Sequence, residues 1–516
     1  MNSARNVLTG TATRYIFLVV NVGLGIVLLP FTLRHLGAET YGLWMLAASL
    51  TYYFQLLDLG YGTGLVRHVS DADARGDIGS INRVLSTFFV VFAGLGLVAA
   101  LGIAALVVFG ISRFPNLSSD QIWQAQVVLA VLGVRIVVGL PMTVFGAATT
   151  ARQRFALNNA VAIAVAIANA AVTYLVLSAG YGLIPLVAST SAVGLAGYIG
   201  YVWAAKRAMP ELRIRPASFS RPLVRDVTSF SIYLFLISVA AQIGFNLDNL
   251  VIGAALGTSA VAIYAIAFRI ADYQRQLCNQ FNGLLFPIVV RLGAAARGDA
   301  MRAMMVDATR IALSLVTIVT ICILAYAEPL IARWMGPGFD GAVVPLSVLA
   351  LAGVILVGQG PLGNVLLGTG RHRLVAFTSL GEAAANFAIS LVLVRQYGIA
   401  GVAVGTAIPV AVANLGILLP AACRQVNLPV FTFLRLVGRA PVVGAIPAVI
   451  VCAASRAGYP DPTLSTILLH CTVASIVYAA ALCTVGLQRD VRNRYLAHFR
   501  RALQPTPPTR LSEAVL

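Results

Sequence analysis

The stretch YGLWMLAASLTYYFQLLDLGYGTGL, Tyr41–Leu65, is apolar over the length of a membrane-crossing helix but carries one carboxylate, Asp58. A helix needs about 20 apolar residues to cross a hydrocarbon core of about 30 Å. Similar runs recur along all 516 residues, of which 59% are hydrophobic and only 10% charged. Soluble domains have about a quarter of their residues charged. The composition therefore indicates a polytopic membrane protein.

The membrane-crossing elements are predicted to be helices, because strands of a membrane barrel appear as short segments of alternating polarity. The predicted fold class is an all-α polytopic membrane protein with about 14 transmembrane helices. The predicted spans are residues 12–33, 41–65, 84–110, 125–148, 158–178, 183–204, 230–254, 260–289, 308–332, 343–367, 375–395, 401–421, 440–456 and 464–486. Because the number of spans is even, both termini are expected on the same side of the membrane.

Basic residues are distributed unevenly between the segments that join these spans. If the N-terminus is cytoplasmic, cytoplasmic segments hold 28 of the 36 Lys and Arg residues, and the outer turns hold five. This asymmetry follows the positive-inside rule, so the N- and C-termini are both expected in the cytoplasm. The net charge of +18 is thereby explained by topology and lipid headgroups, and nucleic acid is not an expected partner.

Four features of the first half recur in the second half at a nearly constant offset along the chain. They are ARGD at 74–77 and 296–299, RQR at 152–154 and RHR at 371–373, Ala-Asn at 168–169 and 385–386, and Tyr-Gly at 181–182 and 397–398. Their common order indicates an internal duplication of six spans. Because six is even, the two copies run in the same direction, and a substrate site is expected between them.

The duplication predicts five parts of the chain. They are an N-terminal six-helix bundle at 1–207, a basic cytoplasmic linker at 208–225, a second six-helix bundle at 226–424, two further transmembrane helices at 425–487 and a basic cytoplasmic tail at 488–516.

Ionisable side chains inside the spans are candidates for function, because each costs about 2.5–3.5 kcal/mol to insert into a membrane. The eighth span contains FRIADYQRQLCNQFNG, Phe268–Gly283, whose polar side chains share one broad helical stripe. The seventh span adds three amides, Gln242, Asn246 and Asn249, together with Asp248, and the fourth span adds one arginine. The predicted substrate-binding residues are Arg269, Asp272, Tyr273, Arg275, Gln276, Asn279, Gln280, Gln242, Asn246 and Arg135.

Two interpretations of this stripe stay open. Arg269 and Asp272 could form an i, i+3 ion pair that serves only packing. Alternatively, the arginines bind phosphate, because a guanidinium donates two parallel hydrogen bonds and stays charged, while the amides bind sugars. Arg135 either supplies a third positive charge or forms a salt bridge with Asp58 or Glu382.

Asp58 is followed by glycines at positions 60, 62 and 64, which permit close approach of a neighbouring helix. We interpret Asp58 as an interhelical anchor; the alternative is a frayed helix end, with the glycines starting an early loop. Asp58, Asp248, Asp272 and Glu382 are also candidates for coupling to a proton or sodium gradient. No cofactor or metal site is predicted, because the six cysteines are scattered through apolar segments.

Two stretches of the chain resemble a known family. LGAETYGLWMLAASLTYYFQLLDLGYGTGLVRHVS, Leu36–Ser70, is similar to the second span of Wzx-type polysaccharide flippases, the polysaccharide transporter branch of the MOP exporter superfamily. LDNLVIGAALGTSAVAIYAIAFRI, Leu247–Ile270, looks like the corresponding stretch of their second half. The resemblance covers nearly the whole chain and implies a MOP/MATE-like, V-shaped transporter.

The resemblance also implies an activity and partners. Such proteins move undecaprenyl-pyrophosphate-linked oligosaccharide repeat units across the bacterial inner membrane by alternating access, for cell-surface polysaccharide biosynthesis. A cationic lumen binds the pyrophosphate, which matches Arg269, Arg275 and Arg135. Related lipid II flippases place an arginine on the first span, where this chain has only Arg14 at the inner edge. The expected partners are the lipid-linked oligosaccharide, membrane lipids, and the polysaccharide polymerase and chain-length machinery.

Two other functions compete with this one. A cation-coupled multidrug antiporter of the same superfamily usually has twelve spans and an acidic cation site in its first half, where here only Asp58 could serve. A membrane-embedded glycan ligase or polymerase would need a large outer loop with paired catalytic groups, and the outer turns are short. The chain is therefore not expected to be an enzyme.

Overall fold

The computed structural model describes residues 2–58, 60–279, 289, 292 and 298–486, and those residues form helices and short connections without strands. The helices are α1 (Asn2–Gln55), α2 (Tyr61–Ala74), α3 (Ile78–Ala105), α4 (Ser119–Ala151), α5 (Phe155–Ser178), α6 (Leu183–Ala208), α7 (Arg221–Leu256), α8 (Thr258–Asn279), α9 (Gly298–Met335), α10 (Val343–Gly368), α11 (His372–Ala411), α12 (Leu419–Gln425), α13 (Val430–Gly458) and α14 (Leu464–Ala481). The predicted tail at 488–516 lies outside the described residues.

Ten helical segments of this part of the chain are long and apolar enough to cross a membrane. Two of them pass through a non-helical glycine, Gly37 in α1 (φ 77°, ψ 160°) and Gly398 in α11 (φ 58°, ψ −141°). Glycine alone adopts such a positive φ without steric cost, so the chain turns at these points. The predicted all-α polytopic membrane fold is confirmed, and the arrangement of fourteen spans stays a prediction.

Helix ends define two faces of the molecule. The basic face carries the loops at 75–77, 152–154 and 369–371, and the far face carries the turns at Gly37 and Gly257. The sequence predicts that the basic face is cytoplasmic.

Backbone features support the predicted duplication. Gly37 and Gly257 both have positive φ at turns on the far face. Gln153 and Gly370 both have positive φ at loops on the basic face. Each pair is separated along the chain by nearly the same interval as the repeated sequence features. The domain bounds drawn from the duplication nevertheless stay a prediction.

The predicted span Tyr41–Leu65 is not a continuous helix. α1 ends at Gln55 and is followed by a single 3-10 turn at Leu56–Asp58, after which Gly60 adopts a left-handed conformation (φ 71°). α2 then begins at Tyr61. A residue with a side chain rarely adopts positive φ, so Gly60 permits this break. The glycines mark a change of direction rather than a flexible stretch of one helix.

The two halves pack tightly near the far face. At Gly42 of α1, a Cβ atom would lie 1.8 Å from the carbonyl oxygen of Thr258, the first residue of α8. Asn249 Nδ2 donates a hydrogen bond of 2.8 Å to Ser49 Oγ, and Trp334 Nε1 donates one of 2.8 Å to the carbonyl oxygen of Ile26. A shared apolar core with Leu29, Tyr41 and Tyr264 among its members surrounds these contacts. The far side of the space between the halves is thus closed.

The segment that joins the halves is bound to α3. Asn82 Nδ2 donates to the carbonyl oxygen of Glu211 over 3.1 Å, and the backbone N–H of Arg213 donates to Asn82 Oδ1 over 2.9 Å. Further along, the backbone N–H of Arg215 donates to Ser86 Oγ over 2.9 Å. Because side chains of α3 satisfy this backbone, the joining segment is fixed to the first half.

Candidate functional site: a chamber between the two halves

A chamber of about 1050 Å³ lies among α1, α4, α5 and α6 of the first half, with α8 of the second half as its remaining wall. It reaches from Thr32 and Thr173, toward the far face, to Phe17 and Gly146, toward the basic face. Two arginines and five tyrosines are among its lining residues. In a helical membrane protein, such polar side chains normally face a hydrated interior.

Arg269 projects into this chamber from α8, about 16 Å along the helix from its first residue. Its side chain is exposed to the chamber. The guanidinium donates a hydrogen bond to Tyr41 and lies close to Tyr52 and Tyr273. Among the described residues, no carboxylate lies within ion-pair distance of Arg269. Its positive charge is therefore available to an anion that enters the chamber.

Tyr273 extends from α8 across the chamber to α1. A Cβ atom at Gly25 would lie 1.8 Å from Tyr273 Oη, so the phenol rests directly against the α1 backbone. The absence of a side chain at Gly25 is what allows this contact between the two halves. Tyr273 thus combines a position in the chamber wall with an interhelical contact.

Arg135 reaches the same chamber from α4. Its side chain crosses Gly194 of α6, where a Cβ atom would lie 2.8 Å from Arg135 Nε. Neither of its expected alternative partners, Asp58 and Glu382, forms an ion pair with it in the described part of the chain. Two arginines, one from each half, therefore share one chamber.

The remaining polar residues of the α8 stripe form a separate network. Asp272 Oδ1 accepts a bond of 2.7 Å from Arg275 Nη2, and Asp272 Oδ2 accepts one of 2.6 Å from Gln276 Nε2. Asp272 therefore pairs with Arg275 and not, as one interpretation expected, with Arg269. Arg269 and Arg275 are six residues apart, about 240° around a helix, so they point in different directions.

Arg275 lines a second cavity, of about 190 Å³, that lies inside the second half. Glu382, Asn386 and Thr406 line the same cavity. Glu382 Oε2 accepts a hydrogen bond of 3.0 Å from Asn414 Nδ2. Arg269 and Arg135 thus line the chamber, whereas Arg275 and Glu382 line this cavity.

Asp248 is buried beside this second cavity, with 2% of its surface exposed. Tyr264 Oη donates a bond of 2.5 Å to Asp248 Oδ2, and Thr406 Oγ1 donates one of 3.0 Å. The Asn386 side chain hydrogen-bonds to the same carboxylate. Two hydroxyl groups and one amide, from three helix segments, thus surround one acidic group.

Asp58 lies in the chamber wall at the helix break. Its carboxylate accepts a hydrogen bond from the backbone N–H of Gly62, while Oδ1 has no partner among the described residues. It therefore caps the start of α2 locally, which differs from the interhelical anchor expected from the sequence. The reason is the left-handed Gly60, which folds the chain back toward Asp58.

None of the predicted amides whose side chains the structure describes lines the chamber. Asn246 on α7 and Gln276 and Asn279 on α8 are not among the residues that line the chamber. Gln242 lies on α7, but its side chain is outside the described part of the structure, and Gln280 lies outside the described residues altogether. Their predicted part in substrate binding stays a prediction.

Several chamber residues are absent from the site predicted from the sequence. Tyr41 and Tyr52 of α1 stand beside Arg269. Their separation of eleven residues puts them on one helical face, which is a signal that the sequence contains. Asn169 and Thr173 of α5 also line the chamber. In the sequence, Asn169 stands out only as a marker of the internal repeat.

Comparison with known proteins identifies the family of this chain. The model of the polysaccharide biosynthesis protein family matches residues 7–293. The chain belongs to the polysaccharide biosynthesis protein family. The match covers more than half of the chain, including the chamber helices and α8.

Two curated relatives come from Bacillus subtilis (strain 168). The uncharacterized membrane protein EpsK is 21% identical over 491 residues, which is 94% of this chain and 96% of EpsK. The teichuronic acid biosynthesis protein TuaB is 27% identical over 160 residues, 31% of this chain and 32% of TuaB. The similarity to EpsK extends over nearly the full length of both chains.

Solved structures show the same fold. The lipid II flippase MurJ in an inward closed conformation superposes with a TM-score of 0.71 at 11% identity, over 96% of this chain and 100% of that chain. An inward-facing MATE transporter of the MOP superfamily gives 0.67 at 14% identity, over 79% and 94%. The family match confirms the resemblance to a polysaccharide biosynthesis family, and these structures show that the chain shares the fold of MurJ and of MATE transporters.

Proposed function

We propose that this protein is a flippase that moves undecaprenyl-pyrophosphate-linked oligosaccharide repeat units across the bacterial inner membrane by alternating access. One observation carries the proposal: Arg135 and Arg269 enter a single chamber from opposite halves, and neither is paired with a carboxylate among the described residues. A chamber that keeps unpaired positive charges inside a membrane suits a ligand that carries negative charge.

Pyrophosphate fits these two side chains. A guanidinium stays charged and offers two parallel N–H donors to a phosphate, so two arginines can bind the two phosphates of one headgroup. The tyrosines and amides of the wall can hydrogen-bond to sugars. The chamber volume of about 1050 Å³ lies at the upper end of ligand pockets, which span about 300–1,000 Å³, and suits a headgroup with several sugars.

The charge of the chamber also distinguishes this proposal from a multidrug antiporter. A cationic drug would need acidic groups, and Asp58 is the single carboxylate among the described lining residues, against two arginines. The MurJ and MATE structures share the fold, so the fold does not separate the two functions. The two functions differ in the charge of the transported molecule, which is negative for a lipid-linked pyrophosphate and positive for a cationic drug.

Asp248 supports a proposal for energy coupling. A buried carboxylate surrounded by Tyr264, Thr406 and Asn386 can bind a proton or a sodium ion, because all of these groups offer oxygen atoms. It lies in the second half, apart from the chamber, so ion and lipid would bind at separate sites. Coupling then follows if both sites favour the same arrangement of the two halves.

The remaining features follow from the proposed activity. The basic face would be cytoplasmic, since the lipid-linked repeat unit is loaded there, and both termini would lie on that side. A polysaccharide polymerase and the chain-length machinery would receive the product at the opposite surface.

A gene deletion tests the proposed function. Without the protein, the lipid-linked oligosaccharide is expected to accumulate in the cytoplasmic leaflet, and surface polysaccharide is expected to disappear. Extraction of the lipids and mass spectrometry would identify the repeat unit. Normal surface polysaccharide with no accumulated lipid intermediate would contradict the proposal, and a selective gain in drug sensitivity would favour the antiporter.

A further inference from the structure

The polar side chains that surround Asp248 have counterparts in the first half of the chain. At the interval of the internal repeat, Asn386 and Ser390 of α11 correspond to Asn169 and Thr173 of α5. In both pairs the residues are four positions apart, which places the two side chains on one face of the helix.

A threonine on the following helix segment is duplicated as well. Thr406 corresponds to Thr190 of α6 at almost the same interval. Thr406 Oγ1 lies 3.2 Å from the carbonyl oxygen of Val402, and Thr190 Oγ1 lies 2.8 Å from that of Leu186. Each threonine thus contacts the carbonyl four residues before it, and the interval of the internal repeat makes the two positions correspond.

The carboxylate itself has no counterpart. Asp248 stands nine residues before Gly257, and the residue nine positions before Gly37 is Leu28. Leu28 lines the large chamber. The first-half set therefore keeps its neutral polar groups but lacks the negative charge that a bound cation normally requires.

The two asparagines also differ in how they are satisfied. Asn386 Oδ1 accepts a bond of 2.9 Å from Ser390 Oγ, whereas Asn169 Oδ1 is buried without a hydrogen-bond partner among the described residues. An unpaired buried amide oxygen is unfavourable. A half turn about χ2 exchanges the oxygen and the NH₂ group, so Asn169 can offer either an acceptor or two donors to the chamber.

The wall around Asn169 leaves room for a ligand. Asn169 and the largely buried Thr173 line the chamber, and the other α5 residues in this wall are Ala162, Val165, Ala166 and Ala170. A polar pair on a helix face of small apolar residues places hydrogen-bonding groups in the wall of the chamber.

We propose that Asn169 and Thr173 form a subsite for the neutral hydroxyl groups of the ligand's sugars. Duplication then produced an ion-binding set in the second half and a hydroxyl-binding set in the first. Sugar hydroxyls both donate and accept hydrogen bonds, as do the amide and the hydroxyl of this pair. The proposal rests on the proposed function, because it assigns the sugar part of the same lipid-linked ligand.

The test compares two lipids that share the pyrophosphate and differ in the sugars. Full-length protein in nanodiscs is mixed with radiolabelled lipid-linked oligosaccharide from the deletion strain, or with undecaprenyl pyrophosphate. Asn169→Leu and Thr173→Val remove the polar groups at similar volume, and Thr173→Ser keeps the hydroxyl as the matched control. The melting temperature of each variant is measured in parallel.

Asn169→Leu is expected to weaken binding of the oligosaccharide lipid about tenfold and to leave the affinity for undecaprenyl pyrophosphate unchanged. Thr173→Val is expected to act in the same direction, with Thr173→Ser close to the unmodified protein. Equal losses for both lipids, or no loss, would overturn the subsite alone. Binding of neither lipid by the unmodified protein would overturn the proposed function and the subsite with it. If Asn169→Leu does not fold, the two Thr173 variants decide the question.

Discussion

Arg269 and Arg275 lie six residues apart on α8 but have different surroundings. Arg269 contacts tyrosines at the chamber, while Arg275 pairs with Asp272 over 2.7 Å and lies above the Phe268 ring, 5.6 Å from its centroid. A paired arginine in a membrane interior has its charge balanced locally. The phosphate-binding role expected for both arginines is therefore better supported for Arg269.

Asp248→Asn is expected to remove the dependence of transport on an ion gradient. The amide retains hydrogen bonds to Tyr264 and Thr406 but can neither bind a proton at neutral pH nor attract sodium. Transport in proteoliposomes should fall by on the order of tenfold, about 1.4 kcal/mol, and should no longer respond to sodium or pH gradients.

Tyr264→Phe is the control for this substitution, because it removes one hydrogen bond and leaves the carboxylate in place. It should keep the gradient response at a reduced rate. An unchanged gradient response in Asp248→Asn would show that Asp248 serves only to hold the helices together.

The sequence indicated which residue types fill the site but not how they face each other. Helical spacing grouped Arg269 and Arg275 on one broad stripe, whereas contacts with other helices separate them. Tyr41 and Tyr52 were missed because tyrosines on a membrane helix are common, and only the position of α8 makes these two neighbours of Arg269. Burial of Asn169 Oδ1 without a partner among the described residues is likewise a property of the folded state.

At the scale of helices, the crossing of α1 and α8 closes the far face. Gly42 permits this crossing, because its missing side chain leaves room for the Thr258 carbonyl. Close approach of two membrane helices at a small residue is a common form of packing. In alternating access, this contact has to open when the chamber turns toward the far face.

Gly42→Val is expected to hold the far face open and abolish transport, because even a Cβ atom would overlap the Thr258 carbonyl oxygen at 1.8 Å. The reporter is a single cysteine at Ala48, a chamber residue, in a cysteine-free background. Its labelling by a membrane-impermeant maleimide from the far side should rise by on the order of tenfold.

Gly94→Val is the matched control, since no atom lies within 4 Å of a Cβ atom at Gly94. Gly94→Val makes the same change in helix propensity as Gly42→Val but introduces no steric clash. Unaltered transport and labelling in Gly42→Val would mean that the two helices are not closed against each other in the membrane.

Element boundaries were predicted well where the apolar pattern is simple and poorly where backbone geometry intervenes. Long apolar runs located the helices, since hydropathy reflects the cost of leaving polar groups in lipid. The turn at Gly37 and the break after Asp58 depend on positive φ at a glycine, which hydropathy does not encode. Helix α1 begins before its first predicted span, at Asn2, and α4 extends beyond both ends of its predicted span.

At the scale of the whole molecule, the two duplicated halves contribute differently to the chamber and to the Asp248 cluster. The first half supplies most of the chamber wall, while the second half contains the Asp248 cluster and contributes Arg269 and Tyr273 to that wall. The joining segment is fixed to α3 by hydrogen bonds that Asn82 donates to Glu211 and accepts from Arg213. A motion of one half against the other is therefore expected to bend the chain beyond this segment, near the start of α7.

Membrane orientation is a prediction at the same scale. Reporter fusions should place residues 74–77 and 371–373 in the cytoplasm, together with both termini, and the turns at Gly37 and Gly257 outside. The physical reason is the concentration of arginines in the loops of the basic face. Fusions at Gly37 and at residues 74–77 that report the same side would contradict this orientation.

Binding of the lipid-linked pyrophosphate by the chamber arginines during transport is the step on which the proposed function depends. Its most direct test is flipping of that lipid in proteoliposomes, comparing the unmodified protein with Arg269→Ala and with Arg113→Ala, an exposed arginine in a short turn. The unmodified protein and Arg113→Ala are expected to flip the lipid at similar rates. At equal insertion into the membrane, Arg269→Ala is expected to flip the lipid at least about a hundredfold more slowly. This corresponds to a loss of about 2.7 kcal/mol. Flipping by Arg269→Ala at the unmodified rate would contradict the claim.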